Sequence, residues 1–246
     1  MNFRVIHINE TDSTSLWLRR QTEDQSSCED PQDTGAIPPL CVWADYQTAG
    51  RGQGTNHWEG ERGKNLLFSL LFRPDKIAAN QQFRISMAIS LAICEALGQH
   101  VGDLCIKWPN DIYWRDGKIG GILIENTLTG RYIKDCIIGV GLNINQRVFC
   151  SDAPNPVSLW QICEQETDRE PLLHDILRAF DRLLGQNVRG RYLSSLYRRK
   201  GFHPYVDGDG PFMAELMGVE DDGHLLLRDD NGKDRRYAFK EVQFII

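Results

Sequence analysis

Leu104-Cys105-Ile106-Lys107-Trp108-Pro109-Asn110-Asp111-Ile112-Tyr113-Trp114-Arg115-Asp116-Gly117-Lys118-Ile119-Gly120-Gly121-Ile122-Leu123-Ile124-Glu125 is the stretch on which the fold turns. It contains three strand-like segments in direct succession, 104–108, 111–114 and 119–125. Pro109 cannot donate to a ladder and holds Trp108 extended, so the first strand is interrupted there. Arg115-Asp116-Gly117-Lys118 reads as a hairpin turn between the second and third strands. A fourth strand is predicted at 132–143. Strands that follow one another without crossover helices do not build a repeating βαβ chain. The expected class is α+β with a mixed sheet.

Upstream, residues 65–72 are an almost unbroken apolar run, which predicts a strand buried on both faces. Further strands are expected at 3–8 and 41–47. Glu10-Thr11-Asp12-Ser13-Thr14-Ser15 is rich in cap-forming residues and precedes a helical start at Leu16, Trp17 and Leu18. Residues 21–39 are polar and proline-containing and read as a surface loop. From 81 to 97 the chain is apolar nearly all round, broken by Ser86, Ser90 and Glu95, which predicts an internal helix. Leu172, Leu173, Ile176, Leu177, Phe180, Leu183 and Leu184 follow amphipathic helix spacing, with Pro171 in the first turn. After Pro204, short strands at 212–219, 225–228, 236–239 and 242–246 predict a small SH3-like β-barrel. The expected division is 1–204 and 205–246, the second unit being small enough that it should dock on the first.

Composition narrows the class of function. Apolar residues are 41% and charged residues 25%, ordinary values for a globular chain. With 28 basic against 34 acidic residues the formal net charge is -6, so there is no global pull toward nucleic acid or anionic lipid. No apolar run approaches the roughly 18 residues needed to span a bilayer, and the N-terminus lacks a secretory pattern. The seven cysteines form no Cys-x-x-Cys pair and read as reduced thiols of a cytoplasmic protein. The six histidines show no zinc-binding spacing.

Three constellations carry chemistry. Gln47-Thr48-Ala49-Gly50-Arg51-Gly52-Gln53-Gly54-Thr55-Asn56-His57-Trp58 leaves backbone N–H groups open to a ligand. Within it Arg51 offers a delocalised charge, and Trp58 is either a stacking face or a core residue. Lys107, in an apolar strand, is either an edge charge or a buried cation awaiting an anion. Asn110 and Asp111 have the turn role as their ordinary alternative. Gly139-Val140-Gly141-Leu142-Asn143 marks either a bulge or the close approach of a ligand or second backbone. Gly60-Glu61-Arg62-Gly63-Lys64-Asn65 lacks the Ser/Thr of a Walker loop, position 55 is Thr where a dinucleotide motif needs Gly, and no Gly-x-Ser-x-Gly exists.

In this order, the stretches resemble the biotin–protein ligases. That pattern runs from Asp12-Ser13-Thr14-Ser15 through the Gln47 to Trp58 loop, Lys107 to Asp111, Gly121 to Glu125, and Gly139 to Asn143. The resemblance implies that biotin and ATP form biotinyl-AMP, whose biotinyl group passes to a lysine of a biotin carboxyl carrier domain. It assigns Arg51 and Lys107 to catalysis. Ser13, Thr14, Ser15, Gln47, Gly50, Arg51, Gly52, Gln53, Lys107, Gly121, Gly139 and Gly141 are assigned to biotin. Arg51, Gln53, Trp58, Lys107, Asn110 and Asn143 are assigned to the nucleotide. ATP with Mg²⁺ is the implied substrate complex, with no tightly bound prosthetic group and no assigned metal ligands. A homodimer is compatible with the resemblance.

Two departures matter. The second arginine of the family's Gly-Arg-Gly-Arg is Gln53 here, which donates a hydrogen bond without charge, so weaker retention of the adenylate is expected. The pattern also begins near Ile6, leaving no room for the helix-turn-helix of repressor members, so no nucleic-acid partner is expected. The competing readings are a lipoate or octanoate ligase and a non-catalytic biotin-binding adaptor.

Overall fold

The computed structural model describes residues 1–26, 38–150 and 154–246. In chain order the strands are β1 (Arg4–Thr11), β2 (Leu40–Gln47), β3 (Leu66–Phe72), β4 (Leu104–Lys107), β5 (Asp111–Trp114), β6 (Gly117–Thr129) and β7 (Tyr132–Leu142). They form one sheet in the order β1-β2-β3-β7-β6-β5-β4. β1 and β2 are parallel, and the remaining neighbours are antiparallel, so the sheet is mixed. The helices are α1 (Thr14–Ser26), α2 (Phe83–Leu97), α3 (Leu159–Cys163), α4 (Arg169–Leu184) and α5 (Arg189–Ser194).

Every residue of β3 is buried, as its unbroken apolar sequence requires, because layers cover both sides. Strand alternation puts Leu66, Phe68, Leu70 and Phe72 on one face, in the large core cluster with α2 and α4. The other face presents Leu71 and Ile137, which meet Leu18 of α1. On this second face the register places Ser69 beside Gly139 and Gly121 beside both Gly141 and Asp111. A short polar strip with little side-chain bulk therefore crosses the middle of an apolar sheet.

β1 runs to Thr11, beyond the expected end at 8, because its parallel register with β2 continues to Thr11↔Gln47. That extension delivers the start of α1 beside Gln47. α1 itself continues through residues expected to be loop from 21, reaching Ser26, and the rest of that polar stretch up to 37 lies outside the described residues. The capping run does not work as a simple side-chain cap. Asp12 instead accepts from Ser13 N, from Thr11 Oγ1 and from both terminal nitrogens of Arg20. The Arg20 guanidinium holds the Asp12 carboxyl well below the usual carboxylate range.

Strands β8 (Phe202–Asp207), β9 (Gly210–Val219), β10 (Leu225–Asp229), β11 (Asp234–Tyr237) and β12 (Gln243–Phe244) form a second, antiparallel sheet in the order β11-β10-β9-β8-β12. β8 of this sheet begins at Phe202 and so spans the position, after 204, where the sequence suggested a division. Pro204 hid this strand, yet it fits, because its carbonyl accepts from Ile245 N at 3.2 Å. The missing donor faces the same side, where the two-residue β12 has already ended. Tyr205, Ala214, Leu225 and Leu227 belong to the same apolar cluster as α2 and the first sheet. No described helix is long and apolar enough to cross a membrane. The described cysteines are free, and burial pushes the Cys41, Cys94 and Cys105 thiols up to about 12.

Candidate active site

The paired glycines are a bare patch for Trp58. A Cβ on Gly141 would lie 2.4 Å from Trp58 Cε2, and one on Gly121 would lie 3.2 Å from Cζ3. Both strands thus carry glycine because an indole ring rests on their backbone. At Gly141 the close approach is that of a side chain, the Trp58 indole, and not the ligand or second backbone expected from the sequence. The loop that delivers the ring is itself a small hairpin: Trp58 N donates to Gly50 O at 2.9 Å and Gly52 N to Asn56 O at 2.8 Å. Gly50 is equally constrained, since a Cβ there would meet Trp58 O at 2.3 Å. Trp58 Nε1 is buried without a hydrogen-bond partner.

Beside this patch lies a row of buried hydroxyls. Thr14 donates to Gln47 Oε1 twice, from N at 2.8 Å and from Oγ1 at 3.0 Å. Its hydroxyl proton being used, Thr14 Oγ1 accepts from Ser69 Oγ at 2.7 Å. Ser13 Oγ and Ser15 Oγ are 3.0 Å apart. The bare backbone of Gly139 faces this row, its Cβ position 3.5 Å from Ser69 Oγ and 3.8 Å from Ser15 Cβ. Ser13, Thr14, Ser15, Gln47 and Gly139 are therefore brought together, and Ser69 joins them. Ser69 was not anticipated, although it is the lone polar residue between Leu66 and Phe72.

The cations are distributed differently from expectation. Lys118, not singled out in the sequence, sits at the glycine patch: Nζ is 2.7 Å from Asp111 Oδ1 and 5.9 Å from the centre of the Trp58 ring. A register shift between Ile112 and Tyr113 explains this. Simple alternation would put Lys118 and Gly121, three residues apart, on opposite faces, and the bulge returns them to one. Lys107 pairs with Asp111 across β4 and β5 and so shares the sheet face of Asp111 and Lys118. Its Nζ lies 5.3 Å from the Tyr113 ring centre and 5.0 Å from that of Phe244 in the second sheet. Burial between these rings pushes its pKa down, with Asp111 opposing.

Arg51 lies on Glu125, its two terminal nitrogens each 3.1 Å from one carboxylate oxygen. Arg19 reaches the same carboxylate. Asn143, 4% exposed, spends its amide on Val157 O and Lys118 O and so supports Lys118 from behind. Asn110 donates to Ile122 O, and with Gln53, Trp108, Leu123 and Phe239 it lines a cavity of about 340 Å³. Gln53 and Asn110 therefore border this cavity, apart from the hydroxyl row. The second sheet also reaches the loop, since Lys240 Nζ would lie 2.7 Å from a Cβ on Gly54, whose φ is +64°.

Among the described residues one cluster has metal-ligand composition, Glu220, Asp222 and His224. Arg236 already spans both carboxylates, at 2.6 Å and 2.7 Å. His224 and Arg236 together hold the Asp222 carboxyl below its usual range. A cation there would have to displace a guanidinium.

Residues 19–143 match the model of the Biotin/lipoate A/B protein ligase family. The bifunctional ligase/repressor BirA of Bacillus subtilis is 29% identical over 237 residues, covering 87% of this chain and 69% of that protein. The biotin–[acetyl-CoA-carboxylase] ligase of Paracoccus denitrificans is 30% identical over 210 residues, covering 78% of this chain and 85% of that protein. In fold, the chain resembles the biotin protein ligase from Aquifex aeolicus solved in complex with biotin and ATP. The TM-score is 0.76 at 23% identity, over 98% of this chain and 99% of that one.

Proposed function

This chain belongs to the Biotin/lipoate A/B protein ligase family, and from that premise we propose that it activates biotin with ATP and transfers the biotinyl group to a protein lysine. A biotin carboxylate oxygen attacks the α-phosphorus of ATP, supplied with Mg²⁺, and the bond to pyrophosphate breaks. The ε-amine of the acceptor lysine then attacks the anhydride carbonyl, expels AMP and loses a proton. The acceptor is the carrier domain of a biotin-dependent carboxylase. The Paracoccus denitrificans relative is named for acetyl-CoA carboxylase. No group of this chain has to become covalently attached.

The observation that carries the choice of biotin is the hydroxyl row of Ser13, Thr14, Ser15 and Ser69 with Gln47, over Gly139. A ureido ring has one acceptor and two donors and can exchange bonds with that row. A dithiolane ring offers no comparable donors or acceptors, so lipoate gains none of these hydrogen bonds, each worth about 0.5–1.5 kcal/mol net. Pyrophosphate release measured with ATP, Mg²⁺ and either acid is therefore expected to depend on biotin. Release with lipoate alone, or with neither acid, refutes the reading.

Arg51 and Lys118 supply positive charge where two anions must meet. Lys107 was the sequence choice for that part. Its ammonium over the Tyr113 and Phe244 rings suits a cation that ties the second sheet to the first.

Gln53 borders the cavity beside the loop without charge. Gln53→Arg adds a charge-assisted hydrogen bond of about 1.5–3 kcal/mol and is expected to slow biotinyl-AMP dissociation about 10- to 100-fold. A chase with unlabelled biotinyl-AMP reads that rate, and an unchanged rate refutes the assignment of Gln53 to the adenylate.

A further inference from the structure

Glu125 is shared by two arginines from different elements. Arg51 of the glycine loop forks onto both oxygens at 3.1 Å, and Arg19 of α1 takes Oε1 at 3.0 Å. Glu125 is half-buried, with 24% of its side chain exposed, and it lies on the sheet face that carries Gly121 and Leu123. The cluster bears two positive charges against one negative and retains a net charge of about +1 at neutral pH.

A guanidinium fork matches one planar anion at a time. A ligand carboxylate or phosphate that claims the terminal nitrogens of Arg51 has to displace Glu125. Displacement strands a half-buried carboxylate unless another cation remains, and Arg19 is that cation. Its Nε is buried and has no hydrogen-bond partner. Release of Oε2 by Arg51 would give this Nε an acceptor and let Arg19 close its own fork on Glu125.

We propose that Glu125 competes with the ligand's anionic group for Arg51, and that Arg19 weakens the competitor by sharing its charge. The pair sets how readily the loop's arginine is exchanged, and hence how long the adenylate stays bound. This rests on the adenylating function proposed above. Glu125 and Arg19 are positioning residues, acting on the ligand only through Arg51.

The two substitutions are expected to have opposite signs. Glu125→Gln keeps the size but removes the competing charge, so biotinyl-AMP should dissociate about three- to tenfold more slowly. Arg19→Ala leaves Glu125 dependent on Arg51 alone, so dissociation should quicken by a similar factor. In the double variant Glu125→Gln/Arg19→Ala the effect of Arg19 should vanish, since its target has lost its charge. A merely structural role would loosen retention in both single variants and lower both melting temperatures. The dissociation rate of pre-formed, radiolabelled biotinyl-AMP is measured for the full chain and each variant. Faster release from Glu125→Gln, same-sign changes in both, or an Arg19 effect that persists in the double variant overturns the proposal. If the unsubstituted protein makes no biotinyl-AMP, the function fails; if it does and the signs are wrong, only this inference fails.

Discussion

Lys118→Ala is expected to slow biotinyl-AMP formation about 10²- to 10³-fold with the fold retained, and Lys107→Ala is expected to slow it far less. The asymmetry follows from what each ammonium group contacts. Lys118 Nζ is held at 2.7 Å by Asp111 beside the Trp58 ring and the Gly121 backbone, so its position is fixed before reaction. A preorganised charge at the point where negative groups converge is worth about 10²–10³ in rate. Lys107 instead lies over the rings of Tyr113 and Phe244, one of them in the second sheet. Its loss should appear as lower thermal stability, of the order of 1–2 kcal/mol for a desolvated cation–π contact. Initial rates of pyrophosphate release and melting curves on both variants separate the roles. Loss of activity in Lys107→Ala with Lys118→Ala unaffected would restore the assignment made from sequence.

Gly141→Ala should be nearly as damaging. The added methyl would meet Trp58 Cε2 at 2.4 Å and Nε1 at 2.7 Å, well inside any tolerated contact, and β7 cannot retreat from between β3 and β6. The ring must move by about an ångström, and misplacement of that size can cost about 10²-fold in rate. Because Trp58 N is bonded to Gly50 O, the disturbance passes into the loop that carries Arg51. Gly102→Ala is the matched control, since a Cβ there meets nothing within 4 Å. Equal activity of the two variants would show that the indole does not need its present seat.

Much of the fold was legible because local patterns had few alternatives. The hairpin, whose turn is only Arg115-Asp116 of the four residues expected, and the successive strands excluded a βαβ chain, and the apolar run 65–72 required cover on both faces. What escaped depended on pairing partners remote in the chain. Ser69 gains its meaning from Gly139 and Thr14, which only the β3–β7 register and the seating of α1 bring to it. Lys118 was read as the last residue of a turn, whereas β6 already begins at Gly117 and its bulge sets Lys118 on the face of Gly121. Glu125 read as the end of an apolar strand, since its two arginines come from 106 and 74 positions earlier in the numbering. β8 was concealed by Pro204, whose lost donor happens to face the place where β12 stops. The loop from Gln47 to Trp58 was readable because glycine spacing is a local property, whereas the two glycines that receive its ring needed the sheet.

The unbroken apolar cluster joining the two sheets bears on how such a chain can evolve. Phe83 of α2 lies 2.8 Å from where a Cβ on Gly223 would stand, and Trp108 Nε1 donates to Gly223 O at 2.9 Å. A module attached by a tether can be lost, duplicated or exchanged between lineages at little penalty. One that lends Tyr205, Leu225 and Leu227 to a common interior cannot, because its removal would wet that interior. The C-terminal sheet is thus expected to be inherited together with the first sheet. Drift at one side of the seam is expected to be answered by compensating change at the other.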